Sequence, residues 1–390
     1  MFLNDNLKKE GYFAIGEKKG FSVKLNQDLD FKKLDQFIEL ENEWKFGFLT
    51  YDLKNNIENL SSNNSDALEL PLLYFFIPET LLKYKNGKFT LIYGDDTHIN
   101  DANEFIKKKS FDLNFKLKPS LNKAEYLAHI NTIKEEIKLG NIYEVNFCYE
   151  YQLKDKEINP FEVFHNLMPL TNAPFSSFGR FDNQYIISAS PERFLKKTGN
   201  KLISEPIKGT AKRGQNSKED LKLKLELAAN QKERSENIMI VDLVRNDLSR
   251  IAKYDSVKVE ELCKIYSFDT VHQMISRITC QIEENIPFSD IIKATYPMGS
   301  MTGAPKISAM KIIEREEQTK RGLYSGSIGY ITPENDFDFN VIIRSFIYNK
   351  TTHYTSAMVG GAITDKSIPE EEYKETLTKI EALLKAINNA

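Results

Sequence analysis

The chain has no long apolar run. Its longest, Leu70 to Pro78, holds two prolines and is far too short to span a bilayer. The first ten residues, Met-Phe-Leu-Asn-Asp-Asn-Leu-Lys-Lys-Glu, are charged too early for a secretory signal peptide. Cysteine is scarce as well. Cys148, Cys263 and Cys280 are far apart, odd in number and without Cys-x-x-Cys spacing, so reduced thiols in a cytoplasmic protein are expected. An excess of either charge is missing too: 53 Lys and Arg stand against 56 Asp and Glu. That balance offers nothing for nucleic acid or a membrane surface. No internal repeat and no Gly-rich phosphate or dinucleotide loop is found.

What is present is chain enough, at 390 residues, for one large mixed fold with a substantial core. Residues 1–118 read as short alternating segments, such as Phe46–Tyr51 and Phe89–Tyr93, with a polar loop between Asn55 and Asp66. They predict an antiparallel sheet region. From 119 to 390 helices and strands interleave without a regular βαβ rhythm, which predicts an α+β fold. A helix is expected from Asn122 to about Leu139, with Asn122 and Glu125 at capping-box spacing and Gly140 closing it. A strand over Ile142–Tyr151 and a helix from Asn230 to Ile251 follow. Another helix is expected after Gly303, then a β-rich run from Tyr324 to Ile363. In the last helix Ser367 and Glu370 stand at capping-box spacing, Pro369 lies in the first turn, and Tyr373, Leu377, Ile380, Leu384 and Ile387 form a core stripe.

Two glutamate pairs stand out. Glu233 and Glu236 are three residues apart on a predicted helix, about 60° apart around its axis, so both carboxylates can enter one space. Glu372 and Glu375 repeat the spacing. Four carboxylates brought together would repel one another unless a hard cation such as Mg2+ neutralised them. On spacing alone two such pairs are more often solvated helix faces.

Five stretches, in order, change that weighting. They are Ser190-Pro-Glu-Arg-Phe194, Pro206-Ile-Lys-Gly-Thr210, Glu236-Asn-Ile-Met-Ile-Val-Asp-Leu-Val-Arg-Asn-Asp247, Pro297-Met-Gly-Ser-Met-Thr-Gly-Ala-Pro-Lys306 and Glu371-Glu-Tyr-Lys-Glu-Thr376. Together the set resembles the chorismate-binding enzymes, with a looser match at Gly47-Phe-Leu-Thr-Tyr-Asp52. The resemblance implies one fold of two facing sheets with helices outside, and a site for chorismate and Mg2+ between them. Glu233, Glu236, Glu372 and Glu375 fall on the family's metal positions. Arg344, Tyr324, Ser300, Lys379 and the backbone of Gly360, Gly361 and Ala362 fall on its contacts to the substrate carboxylates. Arg344 is expected inside a strand, Asn340–Ser345.

Two positions bear on the reaction. Lys208 in Pro-Ile-Lys-Gly-Thr resembles the aminodeoxychorismate synthases, where the anthranilate synthases usually carry alanine. It implies a lysine nucleophile, with its pKa expected to be lowered by desolvation beside a metal. Glu144 replaces both the lysine of the water-using members and the glutamine of the ammonia-using ones; on strand parity it should share a face with Asn146 and Cys148, opposite Val145 and Phe147. Glu192 falls on the general acid. His272, in Thr270-Val-His-Gln-Met274, is either a proton donor near the ring or a satisfied core histidine. The resemblance thus implies component I of an aminodeoxychorismate synthase, with anthranilate synthase component I as the alternative. With no glutaminase segment found, ammonia is expected from solution or from a glutamine amidotransferase partner.

Overall fold

The computed structural model describes residues 1–40, 42–171, 173–268 and 271–388. Thr270, which opens the His272 stretch, lies outside them. Among the described residues two large antiparallel sheets carry the architecture, one of eleven strands and one of ten. In the first, the long strand Glu144–Leu153 pairs along its whole length with Tyr354–Thr364. Ser345–Asn349, Gln184–Ser190 and Phe175–Phe181 continue the sheet towards the N-terminal strands Phe2–Asp5 and Glu10–Ile15. The second sheet runs from Ile207–Lys212 through Val271–Gln281, Lys201–Glu205 and Arg193–Thr198 to Phe337–Val341, and ends on Lys45–Leu49, Leu73–Ile77 and Lys19–Val23. Residues 1–118 therefore lie at the outer ends of both sheets.

Parity sorts the side chains of the central strand as the sequence predicts. Val145, Phe147, Tyr149 and Tyr151 pack outward, in a core shared with Tyr126, Ile130, Ile133, Ile312, Ile380 and Leu383 of three helices. Cys148 faces the other way, into a core with Tyr324, Met301 and Met358. A third core, containing Leu3, Phe46, Phe48, Tyr74, Ile186 and Ile347, fills the space between the sheets at the N-terminal end. The two sheets thus face each other with helices outside. Among the described residues no helix is long and apolar enough to cross a membrane.

The helix Lys123–Lys138 has the expected capping box, Asn122 accepting from the Glu125 amide and Glu125 from the Asn122 amide. Gln231–Ser249 is capped by Asn230, whose side chain accepts from the amides of Lys232 and Glu233. The helix after Gly303 is Lys306–Glu316. Helices Phe31–Ile38 and His98–Phe105 interrupt the region read as sheet.

Three expectations are corrected. The last helix, Pro369–Ile387, is preceded by Ile368 with no side-chain cap, because the Ser367 hydroxyl is taken by the Thr364 amide at the strand end. Its buried face runs through Glu372, Thr376, Ile380, Leu383 and Ile387, while Leu377 stands 40% exposed. That rotation carries Glu372 into the interior. Finally, Arg344 is not in a strand. Phe337–Val341 ends before it and Ser345–Asn349 begins after it, and Arg344 itself takes a left-handed φ of 54°.

Candidate active site

Lys208 is placed by an irregularity. The pairing of Ile207–Lys212 with Val271–Gln281 slips between Ile207 and Thr210, so Lys208 and Gly209 bulge from the ladder. Gly209 has φ 91°, and a Cβ there would stand 3.1 Å from Glu233 Oε2, so glycine lets the strand pass close under the helix. The Lys208 ammonium reaches Glu144 Oε1 at 3.3 Å. Glu144 is 1% exposed, and its Oε2 has no hydrogen-bond partner. Burial alone would lower the Lys208 pKa, as the sequence reading expects. In the metal-free site the charges of Glu144, Glu236 and Glu192 outweigh it and hold the amine above the ordinary lysine value, opposite to the direction expected beside a metal.

Glu192 lies between Gln184–Ser190 and Arg193–Thr198, its amide donating to Ser190 Oγ and its carbonyl accepting from the Val341 amide. Ser300, in the short turn Gly299–Met301, donates its hydroxyl to Glu192 Oε1 at 2.6 Å. Burial pushes the Glu192 carboxyl up to about 7, against the pull of Ser300 and Lys208. A carboxylic acid that still holds its proton near neutrality suits general-acid work.

The glutamate pairs meet across two helices. Glu236 and Glu372 are buried, and Glu375 is about half exposed with Lys379 at 2.7 Å. Burial drives the Glu236 carboxyl up to about 7 and raises that of Glu233. At Glu375 burial acts in the same direction, but Lys379 outweighs it and holds the carboxyl below the usual range. Lys379 also donates to the Gly360 carbonyl at 2.9 Å. A Cβ on Gly361 would lie 3.5 Å from Lys379 Nζ and 3.9 Å from Glu372 Oε2, so the bare strand gives these groups room. Ala362 follows on the same buried strand. Among the described residues no three metal-ligating side chains form a ready-made cluster. The donor set still suits Mg2+, which takes one or two carboxylates and keeps waters, and the buried Glu236 Oε1 has no hydrogen-bond partner.

Among the described residues the Arg344 guanidinium has no ion pair or hydrogen bond. Burial presses its pKa down, and Tyr324 and Glu375 act in the other direction. A guanidinium stays charged in proteins, so this one is a cation without an ion-pair partner among the described residues. Tyr324, at the same site, is buried with its hydroxyl accepting from the Cys148 thiol at 3.8 Å. His272 is not brought to the cluster as a free acid: it is 0% exposed, with Nδ1 on Ser267 at 2.9 Å and Nε2 on Asp220 at 3.0 Å.

Sequence reasoning passed over two residues. Arg321 is buried with Glu317 and ties together the carbonyls of Met301 and Asn146, both at 2.7 Å. It thereby fixes the segments that carry Ser300 and Glu144. Nothing in the sequence around a lone arginine marks it. Lys232 bridges the two helices, and its i,i+4 spacing to Glu236 was a visible signal.

The space between the two sheets thus gathers carboxylates, ammonium groups and a guanidinium. A family model described as chorismate binding enzyme matches residues 4–385. The chain belongs to the chorismate-binding enzyme family. It is 33% identical over 347 residues to aminodeoxychorismate synthase component 1 of Escherichia coli, covering 87% of this chain and 76% of that one. To anthranilate synthase component 1 of Aquifex aeolicus it is 30% identical over 368 residues, covering 88% and 74%. Its fold is that of anthranilate synthase component I from Streptococcus pneumoniae, with a TM-score of 0.83 at 24% identity over 96% of this chain and 92% of that one. Relatives of both activities stand at similar distances, so identity does not choose between them.

Proposed function

We propose that the chain is component I of an aminodeoxychorismate synthase, aminating chorismate with ammonia to 4-amino-4-deoxychorismate. The observation that carries this reading is Lys208, whose side chain is only 13% exposed, with its ammonium 3.3 Å from Glu144 and under the charge of Glu192. To act as a nucleophile it must first lose a proton, and Glu144 is the acceptor within reach. The neutral amine then attacks C2 of the ring, the double bonds shift, and the C4 hydroxyl leaves as water with the proton of Glu192. Ammonia adds at C4, the double bonds shift back, and the lysine departs. Arg344 holds one substrate carboxylate through a bidentate fork, with Tyr324 beside it. Glu233, Glu236, Glu372 and Glu375 would hold Mg2+, directly or through water, and the ion would supply positive charge to neutralise a substrate carboxylate. Ser300 orients Glu192; His272, with both ring nitrogens engaged, has a structural role.

Ammonia is supplied by a glutamine amidotransferase subunit in this reading, and the aminated product feeds p-aminobenzoate and folate synthesis. Anthranilate synthase component I is the competing assignment, supported by relatives of that name at similar identity. Product analysis separates the two. Chorismate, Mg2+ and ammonium should give aminodeoxychorismate; anthranilate with pyruvate as main products would move the chain to the other activity.

A further inference from the structure

Carboxylates on two facing helices need compensating charge even when no metal is bound. Lys379 pairs with Glu375 of its own helix and with the Gly360 carbonyl. Lys232 does something different. From the first turn of Gln231–Ser249 its ammonium lies 3.0 Å from Glu372 Oε1 and 3.8 Å from Glu236 Oε1, so it touches one carboxylate of each pair. No other cation among the described residues does so. The fit is lopsided: the contact to Glu236 is too long for a hydrogen bond, and Glu236 Oε1 is left buried without a hydrogen-bond partner. The side chain of Lys232 is 37% exposed, whereas those of Glu372 and Glu236 are 3% and 10% exposed. The ammonium therefore enters from the solvent side over two buried oxygens and has an open way back.

We infer that Lys232 is a resident counter-ion, filling the gap between Glu236 and Glu372 in the metal-free enzyme and swinging out to solvent when Mg2+ enters. This rests on the metal reading of the site given above. A divalent cation and an ammonium cannot share two carboxylate oxygens at these distances, because their repulsion in a partly desolvated gap exceeds what either gains from the other's partner. Lysine suits the part. Its compact, strongly hydrated charge on a flexible stem returns to water readily, and a partly exposed ion pair gives up little when it opens. The device keeps the helices together while the site is empty and sets the Mg2+ level at which it fills.

Two measurements test it. Lysine acetylation of the wild-type protein, read by peptide mass spectrometry with and without saturating Mg2+, should show Lys232 reacting several-fold faster in the presence of the ion, with exposed Lys222 as the internal reference. Calorimetric titration with Mg2+ should show Lys232→Gln binding roughly two- to fivefold more tightly than wild type, the scale of one exposed ion pair removed. Lys232→Arg, which keeps a cation in the gap, should show no such gain. Thermal melts establish that both variants are folded, and the acetylation arm needs no variant. Mg2+ bound by the wild type with no change in Lys232 reactivity overturns the displacement while sparing the metal site. Failure of the wild type to bind Mg2+ at all overturns both.

Discussion

Ser300 donates its hydroxyl to Glu192 at 2.6 Å, and burial raises the carboxyl it holds to about 7. If Glu192 protonates the leaving hydroxyl, turnover at saturating chorismate should fall as pH rises through about 7, and Glu192→Gln should lose most activity together with that alkaline limb. The stability sign follows from the same shift. A carboxyl whose folded pKa lies above its unfolded value of 4.5 stabilises fully below that value, and the contribution is lost as pH rises to about 7. Glu192→Gln should therefore gain stability over the wild type in urea melts at pH 8 relative to pH 5. A limb that persists in the variant would assign the proton to another group.

The metal assignment predicts that Glu236→Gln and Glu375→Gln each bind Mg2+ more weakly and lose nearly all turnover while melting normally. Glu236 supplies the buried oxygen without a hydrogen bond, so its loss should be the larger. Wild-type rates in both variants would remove the metal from this site.

Arg344→Lys tests the carboxylate contact. A point charge cannot reproduce a planar fork, so the loss should be on the order of 2 kcal/mol, about thirtyfold, appearing mainly in KM for chorismate. Unchanged KM and kcat would leave the unpaired guanidinium without a role in binding.

Covalent catalysis by Lys208 predicts an adduct. Chorismate and Mg2+ without ammonia should leave a mass increase on the peptide holding Lys208, since the first step needs only the lysine and the departing C4 hydroxyl. Lys208→Ala should lose both the adduct and most aminodeoxychorismate formation. Lys208→Arg should do no better, because guanidinium stays protonated. A fully active Lys208→Ala enzyme rules the lysine out as nucleophile.

Much of this site could be read from the chain because its elements announce themselves locally. Asn122 with Glu125, and Asn230 before Glu233, are short-range caps, and the alternation around Glu144 is a property of any strand. What escaped depends on distant partners. The left-handed turn at Arg344 is unfavourable for a side chain with Cβ, and it exists because the strands on either side belong to different sheets. Ser367 has the right residue type and spacing for a cap, yet the end of the preceding strand takes its hydroxyl. The Lys208 ammonium is held charged by carboxylates from three separate parts of the chain, a balance that no local pattern carries.

The way the ends are woven into both sheets constrains how the molecule comes to exist. Phe2 lies opposite Phe178, and Tyr354–Thr364 is inserted between Glu144–Leu153 and Ser345–Asn349 of the same sheet. Pairings of such sequence separation close slowly, since large loops must be ordered before any contact rewards them. During synthesis the strand Lys45–Leu49 therefore keeps one edge unpaired until Ser327–Ile331 has left the ribosome, and a nascent chain halted before residue 354 cannot complete its larger sheet.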